Sequence, residues 1–494
     1  MTIAMPAGSA ALPRIEALDA LRGVALFGIL AVNLPFLAST FYAEPVAAGP
    51  ADAVALWFVA FAGQAKFFLL FSFLFGVGLA VQLDGAASRG ERLGPAYARR
   101  LVGLFVFGAV HAVFLFVGDI LTIYAGLGVV LWAVRAWPVR RLVRLAGAAL
   151  AVSVVCYAAL GWAAVAVPVG DVTALAAEAD RAYGGSFLDA AGQRLRDLPV
   201  VYPFLLVFNG PAALAMFALG LAAGKAGVFT DPDRFWPRIR RAVPATLAVG
   251  VVGNAAYAFA TAGPPGDAPA WAAASVMALA AVSAPALAFV YGVAVLAAVR
   301  SGRFGRVLSW LQSAGRMLLT NYMGESLVAG FLFGGWGLGL FGQVGPAGCL
   351  LLTPVVYGVL VAFSRVWMRS FRYGPEEWLL RSWTKARWQP FRAGGRRRQL
   401  VPRGAAVARV RPRRVERGPR GGPGGGPVCR NSGVPRARQG LRIGSPLARP
   451  PFTRRHLCLG STSSSPVCSR SDGRSASSCL RRPAASASAS RSPW

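Results

Sequence analysis

Apolar runs of eighteen residues or more recur from residue 23 to residue 367, separated by short polar segments rich in arginine. None shows the every-second-residue alternation of a strand. Runs of that length predict helices that cross a bilayer, because lipid tolerates only helices or closed barrels. The predicted spans cover residues 23–42, 57–83, 145–167, 200–223, 242–262, 271–299, 317–336 and 349–367, with two more folded into residues 101–134. The expected fold is an all-α, polytopic transmembrane bundle of about ten spans.

The 101–134 stretch is the most constrained. A single helix of 34 residues would reach about 51 Å, against a hydrocarbon core of about 30 Å. It therefore reads as a tight hairpin with Gly118 and Asp119 at its tip. Apart from tyrosine, its only ionisable side chains are His111 and Asp119. His111 then falls about 15 Å along its helix, near the bilayer midplane. Asp119 is eight residues further on, about 12 Å along a continuous helix. It reaches the imidazole only if the helix breaks, and otherwise caps the hairpin at the outer interface.

Charge orients the bundle. With the N-terminus inside, the inner segments up to residue 394 carry 26 Lys and Arg, and the outer loops carry only Arg181, Arg194 and Arg196. That asymmetry places both termini in the cytoplasm and the protein in a cell membrane, the inner one in bacteria. Asn33 and Pro35 suit a retained first span better than a cleaved signal sequence. The net charge of +32 is concentrated at the C-terminus, where residues 395–494 hold 22 Arg, no Lys and two acids. The expected organisation is a disordered 1–13, a membrane half 14–199, a second half 200–388, and a disordered tail 389–494. The tail could adhere to anionic lipid, but a composition of Arg, Ser and scattered Cys without aromatic interleaving fits out-of-frame translation better. No specific nucleic-acid binding is expected. Cys156 and Cys349 lie inside apolar runs, so no disulfide framework is expected.

Candidate chemistry is sparse. Walker A, HExxH, G-x-S-x-G and CxxC patterns are absent, and no metal site is expected. Ionisable residues inside spans are the functional candidates. His111 could act as general base, with Asp119 and Glu325 as further catalytic candidates. Asn321 and Glu325 share one helix face, with Tyr322 and Ser326 as a neighbouring polar pair. With Asn33 and Lys66, this stripe could line a central site, and a Lys66–Glu325 ion pair would neutralise both charges. Arg22 and Arg316, at inner span ends, could clamp phosphates, although topology alone explains arginine there. The competing role for the buried polar residues is hydrogen-bonded glue between helices.

Several segments resemble the YeiB-like family of bacterial multispanning proteins, which carries a domain of unknown function in its C-terminal half. They are RIEALDALRGVALFGILAVN (14–33), KFFLLFSFLFGVGLAVQL (66–83), HAVFLFVGDILTIYAGLG (111–128), MFALGLAAGKAGVF (216–229), SAGRMLLTNYMGESL (313–327) and FRYGPEEWLLRSWT (371–384). Glu325 stands where the family pattern NYxxQS has Gln. The family is distantly similar to membrane acyltransferases, including the heparan-glucosaminide N-acetyltransferases. That resemblance implies acyl-CoA as a cytosolic donor and a small-molecule, lipid or sugar acceptor on the outer side. Three readings follow: an acyltransferase using His111, a transporter of a small amphiphile or anion lined by Lys66, His111 and Glu325, and a non-catalytic scaffold.

Overall fold

The computed structural model describes residues 16–40, 42, 48–167, 171–262 and 269–393. The expected disorder of residues 1–13, and all of the tail beyond residue 393, fall outside them. The described residues belong to one compact unit within residues 1–403. Among them the regular elements are helices, in chain order α1 (Glu16–Leu37), α2 (Pro50–Phe58), a π turn (Val59–Gly63), α3 (Lys66–Ser88), α4 (Gly94–Phe114), α5 (Leu121–Ala133), α6 (Val139–Ala166), α7 (Thr173–Tyr183), α8 (Phe187–Ala226), α9 (Pro232–Ala262), α10 (Ala270–Ser301), α11 (Gly305–Arg316), α12 (Leu318–Phe333), α13 (Pro346–Ser370) and α14 (Pro375–Thr384). The protein is a multi-pass, all-helical membrane protein.

Eight segments are long and apolar enough to cross a membrane: α1, α2 through α3, α4, α6, α8, α9, α10 and α13. The other two expected spans form helices that fall short of that length. α5 has 13 residues and α12 has 16, about 20 and 24 Å of helix. Both are flanked by irregular backbone, residues 115–120 before α5 and 334–345 after α12. Non-helical backbone at membrane depth survives only where protein surrounds it. α3 and α8 pack backbone to backbone. A Cβ on Gly76 of α3 would sit 2.1 Å from the Phe217 carbonyl oxygen, and one on Gly220 of α8 would sit 2.0 Å from that of Phe73. Only glycine lets these two backbones meet.

A third interruption separates α2 from α3. The π turn ends at Gly63, and Ala65 adopts a left-handed φ of 69° before α3 resumes at Lys66. At the opposite end of the chain, ordered structure continues past the expected boundary at residue 388. Arg372 N–H donates to the Phe391 carbonyl at 3.0 Å, Trp378 Nε1 to that of Gln389 at 2.7 Å, and Phe391 packs on Phe371 and Trp378. Aromatic burial against α13 and α14 holds residues 389–393 in place.

Candidate functional site

α4 carries Gly108 and His111 on one face, three residues apart. The helix stops one turn beyond His111: the N–H groups of Leu115 and Phe116 both bond to the His111 carbonyl, at 2.9 and 2.8 Å, and the chain turns back. The turn brings Asp119 down beside Gly108. A Cβ at Gly108 would lie 2.6 Å from Asp119 Oδ2 and 2.7 Å from Thr122 N, so the glycine leaves room for the carboxylate. Asp119 Oδ2 accepts from Thr122 N at 2.9 Å and Thr122 Oγ1 at 3.1 Å, which also caps the start of α5. The helix-cap role and the contact with His111 therefore belong to one carboxylate, one oxygen for each.

Asp119 Oδ1 lies 3.0 Å from His111 Nδ1, and His111 Nε2 lies 2.8 Å from Ser326 Oγ on α12. All three side chains are at 4% exposure or less. Asp119 accepts from each of its other partners, so with Oδ1 as acceptor Nδ1 carries the imidazole proton and Nε2 accepts from the Ser326 hydroxyl. This Ser–His–Asp array has the geometry of a serine nucleophile with an oriented base. Tyr322, one turn before Ser326, tilts its ring over His111 with centroids 4.6 Å apart and makes a long 3.4 Å hydrogen bond to Asp119 Oδ1. Tyr202 of α8 lies 2.8 Å from Thr122 Oγ1 and extends the network.

Two polar clusters hold this array at its ends. On one side Asp197 of α8, fully buried, accepts from Tyr42, Tyr183 and Gln193, each at 2.8 Å. Burial, then the bond to Asp197, pushes the Tyr42 phenol up to about 12. Neighbouring Arg194 donates to the Phe114 carbonyl at 3.2 Å, tying this cluster to the end of α4. On the other side Glu377 of α14 caps α12, accepting from Leu319 N at 2.5 Å and Thr320 N at 3.2 Å. Thr320 Oγ1 lies 2.5 Å from Glu376 and 2.7 Å from Glu377. Burial raises the Glu377 pKa above the usual carboxylate value.

Of the residues singled out in the sequence, His111, Asp119 and Tyr322 meet here. The others lie elsewhere. Arg22 pairs with Asp19 at 3.2 Å on α1, Asn33 is half-buried on the same helix, and Arg316 ends α11. Asn321 ties α11, α12 and α13 together through the Ala314 carbonyl at 3.0 Å and Ser364 at 2.9 Å. Glu325 is buried, with Oε1 lacking a hydrogen-bond partner among the described residues. Lys66 makes no ion pair with Glu325 among the described residues; it lines a separate cavity instead. The break before α3 places Lys66 beside α6 and α9. Ser326 was visible only as part of a polar pair, and Gly108, Thr122 and Tyr202 carried no signal at all.

Residues 223–387 match the model of a family described as "Protein of unknown function (DUF418)". The chain is 35% identical over 400 residues to the uncharacterized protein YxaH of Bacillus subtilis, covering 76% of this chain and 96% of the relative. It is 31% identical over 385 residues to the uncharacterized protein YeiB of Escherichia coli, covering 74% of this chain and 95% of the relative. An uncharacterized 39.9 kDa protein of Bacillus acidopullulyticus is 28% identical over 395 residues, covering 76% and 95%.

Proposed function

The chain belongs to the family of multispanning membrane proteins that includes YxaH and YeiB, with a DUF418 region in its C-terminal half, and on that premise we propose that it is a membrane acyltransferase acting through Ser326, His111 and Asp119. The observation that carries this reading is the 2.8 Å contact between Ser326 Oγ and His111 Nε2, with Nδ1 held on Asp119. A buried polar network of this kind is expensive in a membrane interior, and side chains that served only as glue between helices would not need a carboxylate behind an imidazole behind a hydroxyl.

In the proposed reaction His111 Nε2 takes the Ser326 proton as Oγ attacks the carbonyl carbon of an acyl thioester. The C–S bond breaks, and the thiolate leaves with that proton. An acceptor hydroxyl or amine then gives its proton to Nε2 as it attacks the Ser326 ester. The ester C–O bond breaks, and the proton returns to Ser326 Oγ. A coenzyme A thioester suits the cationic ends of three helices: Arg100 of α4 lies within electrostatic reach of Arg22 of α1 and Arg381 of α14, and its Nε has no hydrogen-bond partner among the described residues. Three guanidinium groups match the polyphosphate of such a donor. Because the array is fully buried, substrate entry requires separation of α12 from α4.

The test is incubation of the detergent-purified full chain with radiolabelled acetyl-CoA at moderate salt, which suppresses nonspecific polyphosphate binding by the arginine-rich tail. The expected result is release of coenzyme A and an acyl label on Ser326 that is lost in Ser326→Ala. Absence of both label and thiol release overturns the reading. The break between α2 and α3 favours transport of a small anion as the second reading, since discontinuous helices mark transporter binding sites.

A further inference from the structure

α11 links α10 to α12 and presents different chemistry on its two sides. On the inner side Leu308, Ala314 and Gly315 are buried. The backbone there meets that of α1: a Cβ on Gly23 would collide with the Leu311 carbonyl, and one on Gly315 with that of Asp19. On the outer side Phe304, Val307 and Trp310 are 55%, 59% and 39% exposed. Their three-residue spacing sets them in one stripe along the helix. Arg303 and Arg306, both exposed, flank that stripe, and Arg306 stands one turn before Trp310.

Arg365 of α13 completes the surface. Its guanidinium lies 4.6 Å over the Trp310 ring and donates Nη1 to Ser309 Oγ at 3.1 Å. The Ser309 hydroxyl in turn donates to the Arg306 carbonyl at 2.7 Å, so Arg365 sits against the turn that carries Arg306. Arg369, one turn further along α13, is exposed. A guanidinium has five N–H donors in a rigid fork, and Arg365 uses one of them among the described residues. Stacking on Trp310 holds the fork in place, which lowers the entropy lost when it takes a ligand.

No carboxylate balances this charge. The chain has no Asp or Glu from residue 300 to 324 or from 346 to 375. On the flanking segments Asp19 pairs with Arg22 and Asp233 with Arg300. Among the described residues Arg303, Arg306, Arg365 and Arg369 make no ion pair.

An exposed apolar stripe beside unbalanced guanidinium groups matches an amphiphile with an anionic head. A free phosphate would answer the arginines and leave Phe304, Val307 and Trp310 uncovered. We propose that the junction of α11 and α13 binds an anionic phospholipid, with its phosphate on Arg306 and Arg365 and an acyl chain along the Phe304–Val307–Trp310 stripe. Arg303 and Arg369 add attraction at longer range. The site is independent of the acyl-transfer reading, since it shares no residue with the Ser326–His111–Asp119 array or with Arg22, Arg100 and Arg381.

The experiment counts the lipids retained by the detergent-purified full chain in native mass spectrometry, during titration with phosphatidylglycerol or phosphatidylcholine. Phosphatidylglycerol should saturate a tight site. Phosphatidylcholine, whose choline cation opposes the arginines, should bind about tenfold more weakly or worse. Arg306→Gln and Arg365→Gln should each weaken phosphatidylglycerol by a similar factor, as loss of a charge-assisted bond does. The double variant Arg413→Gln/Arg414→Gln removes two charges from the basic tail and should fill the tight site like the wild type. Glycerol 3-phosphate, the head without its chains, should not displace the lipid. The proposal fails if the two lipids bind equally, or if Arg306→Gln binds phosphatidylglycerol as the wild type does. It fails equally if the tail variant loses as much as Arg306→Gln, or if glycerol 3-phosphate displaces the lipid. Arg306 is exposed and its side chain makes no hydrogen bond among the described residues, so its replacement removes the contact without disturbing the packing.

Discussion

Replacing Asp119 by Asn isolates what the carboxylate does for His111. The change is nearly isosteric, and the structure dictates which way the amide turns. Both contacts to Oδ2 come from donors, Thr122 N at 2.9 Å and Thr122 Oγ1 at 3.1 Å. The amide oxygen must therefore stay at that position, which sets the NH₂ against His111 Nδ1, 3.0 Å away. A donor facing Nδ1 forces the imidazole proton onto Nε2. Nε2 then points a hydrogen at Ser326 and can no longer receive one. Loss of the correct tautomer in a Ser–His–Asp array costs on the order of 10⁴ in rate, about 5.5 kcal/mol of barrier. The assay needs no natural substrate: a fluorophosphonate labels an activated serine, and its rate on Ser326 reports the nucleophile directly. Asp119→Asn should slow labelling by about 10⁴ while the fold is retained, because the amide keeps its bonds to Thr122 and to His111 Nδ1. Labelling within tenfold of the wild type would refute the assignment of Asp119 as the orienting group, and with it the array as a catalytic unit.

Two further outcomes follow from neighbouring contacts. Gly108→Ala puts a methyl group 2.6 Å from Asp119 Oδ2 and 2.7 Å from Thr122 N, both parts of a buried, hydrogen-bonded turn with little room to move; it should lower stability by about 1–3 kcal/mol and abolish fluorophosphonate labelling, read by a thermal melt and the labelling rate. Burial raises the folded-state pKa of Glu377 above its unfolded value of about 4.5. Its contribution to stability is complete below that unfolded value and is lost as pH rises through the raised folded value. Melting temperature should therefore fall with rising pH across that window in the wild type, and this component should vanish in Glu377→Gln; an unchanged slope would refute the raised Glu377 pKa.

The long apolar helices and their order were legible along the chain because bilayer thickness imposes a length on any apolar helix, and composition alone satisfies that rule. The same rule exposed residues 101–134 as too long for one span and too short for two ordinary ones. That misfit marked the place where the helix breaks, and it put His111 and Asp119 forward as the pair to watch. It could not say whether they touch. Their contact depends on a helix ending at Phe114, on a glycine at 108 three residues before the imidazole, and on Thr122 holding the other carboxylate oxygen.

Ser326 lies 215 residues from His111, and no local spacing encodes an encounter of that range. Packing of α12 against its neighbours, held by Asn321 at α13 and by Glu377 at its first turn, decides that Ser326 rather than Glu325 meets the imidazole. Adjacent positions on a helix point about 100° apart, so a single rotation of α12 would exchange them. Lys66 illustrates the same limit from the other side. Its charge inside a span was plain in the sequence, and a pairing with Glu325 was the natural expectation. A two-residue interruption at Gln64 and Ala65 redirects the start of α3 and gives Lys66 a cavity of its own. Which segments are long and apolar enough to cross a bilayer was set by local composition, because transfer free energy sums along the chain. Only the tertiary structure decided which buried polar groups meet, because that is set by helix breaks and rotations whose energies come from contacts between distant residues.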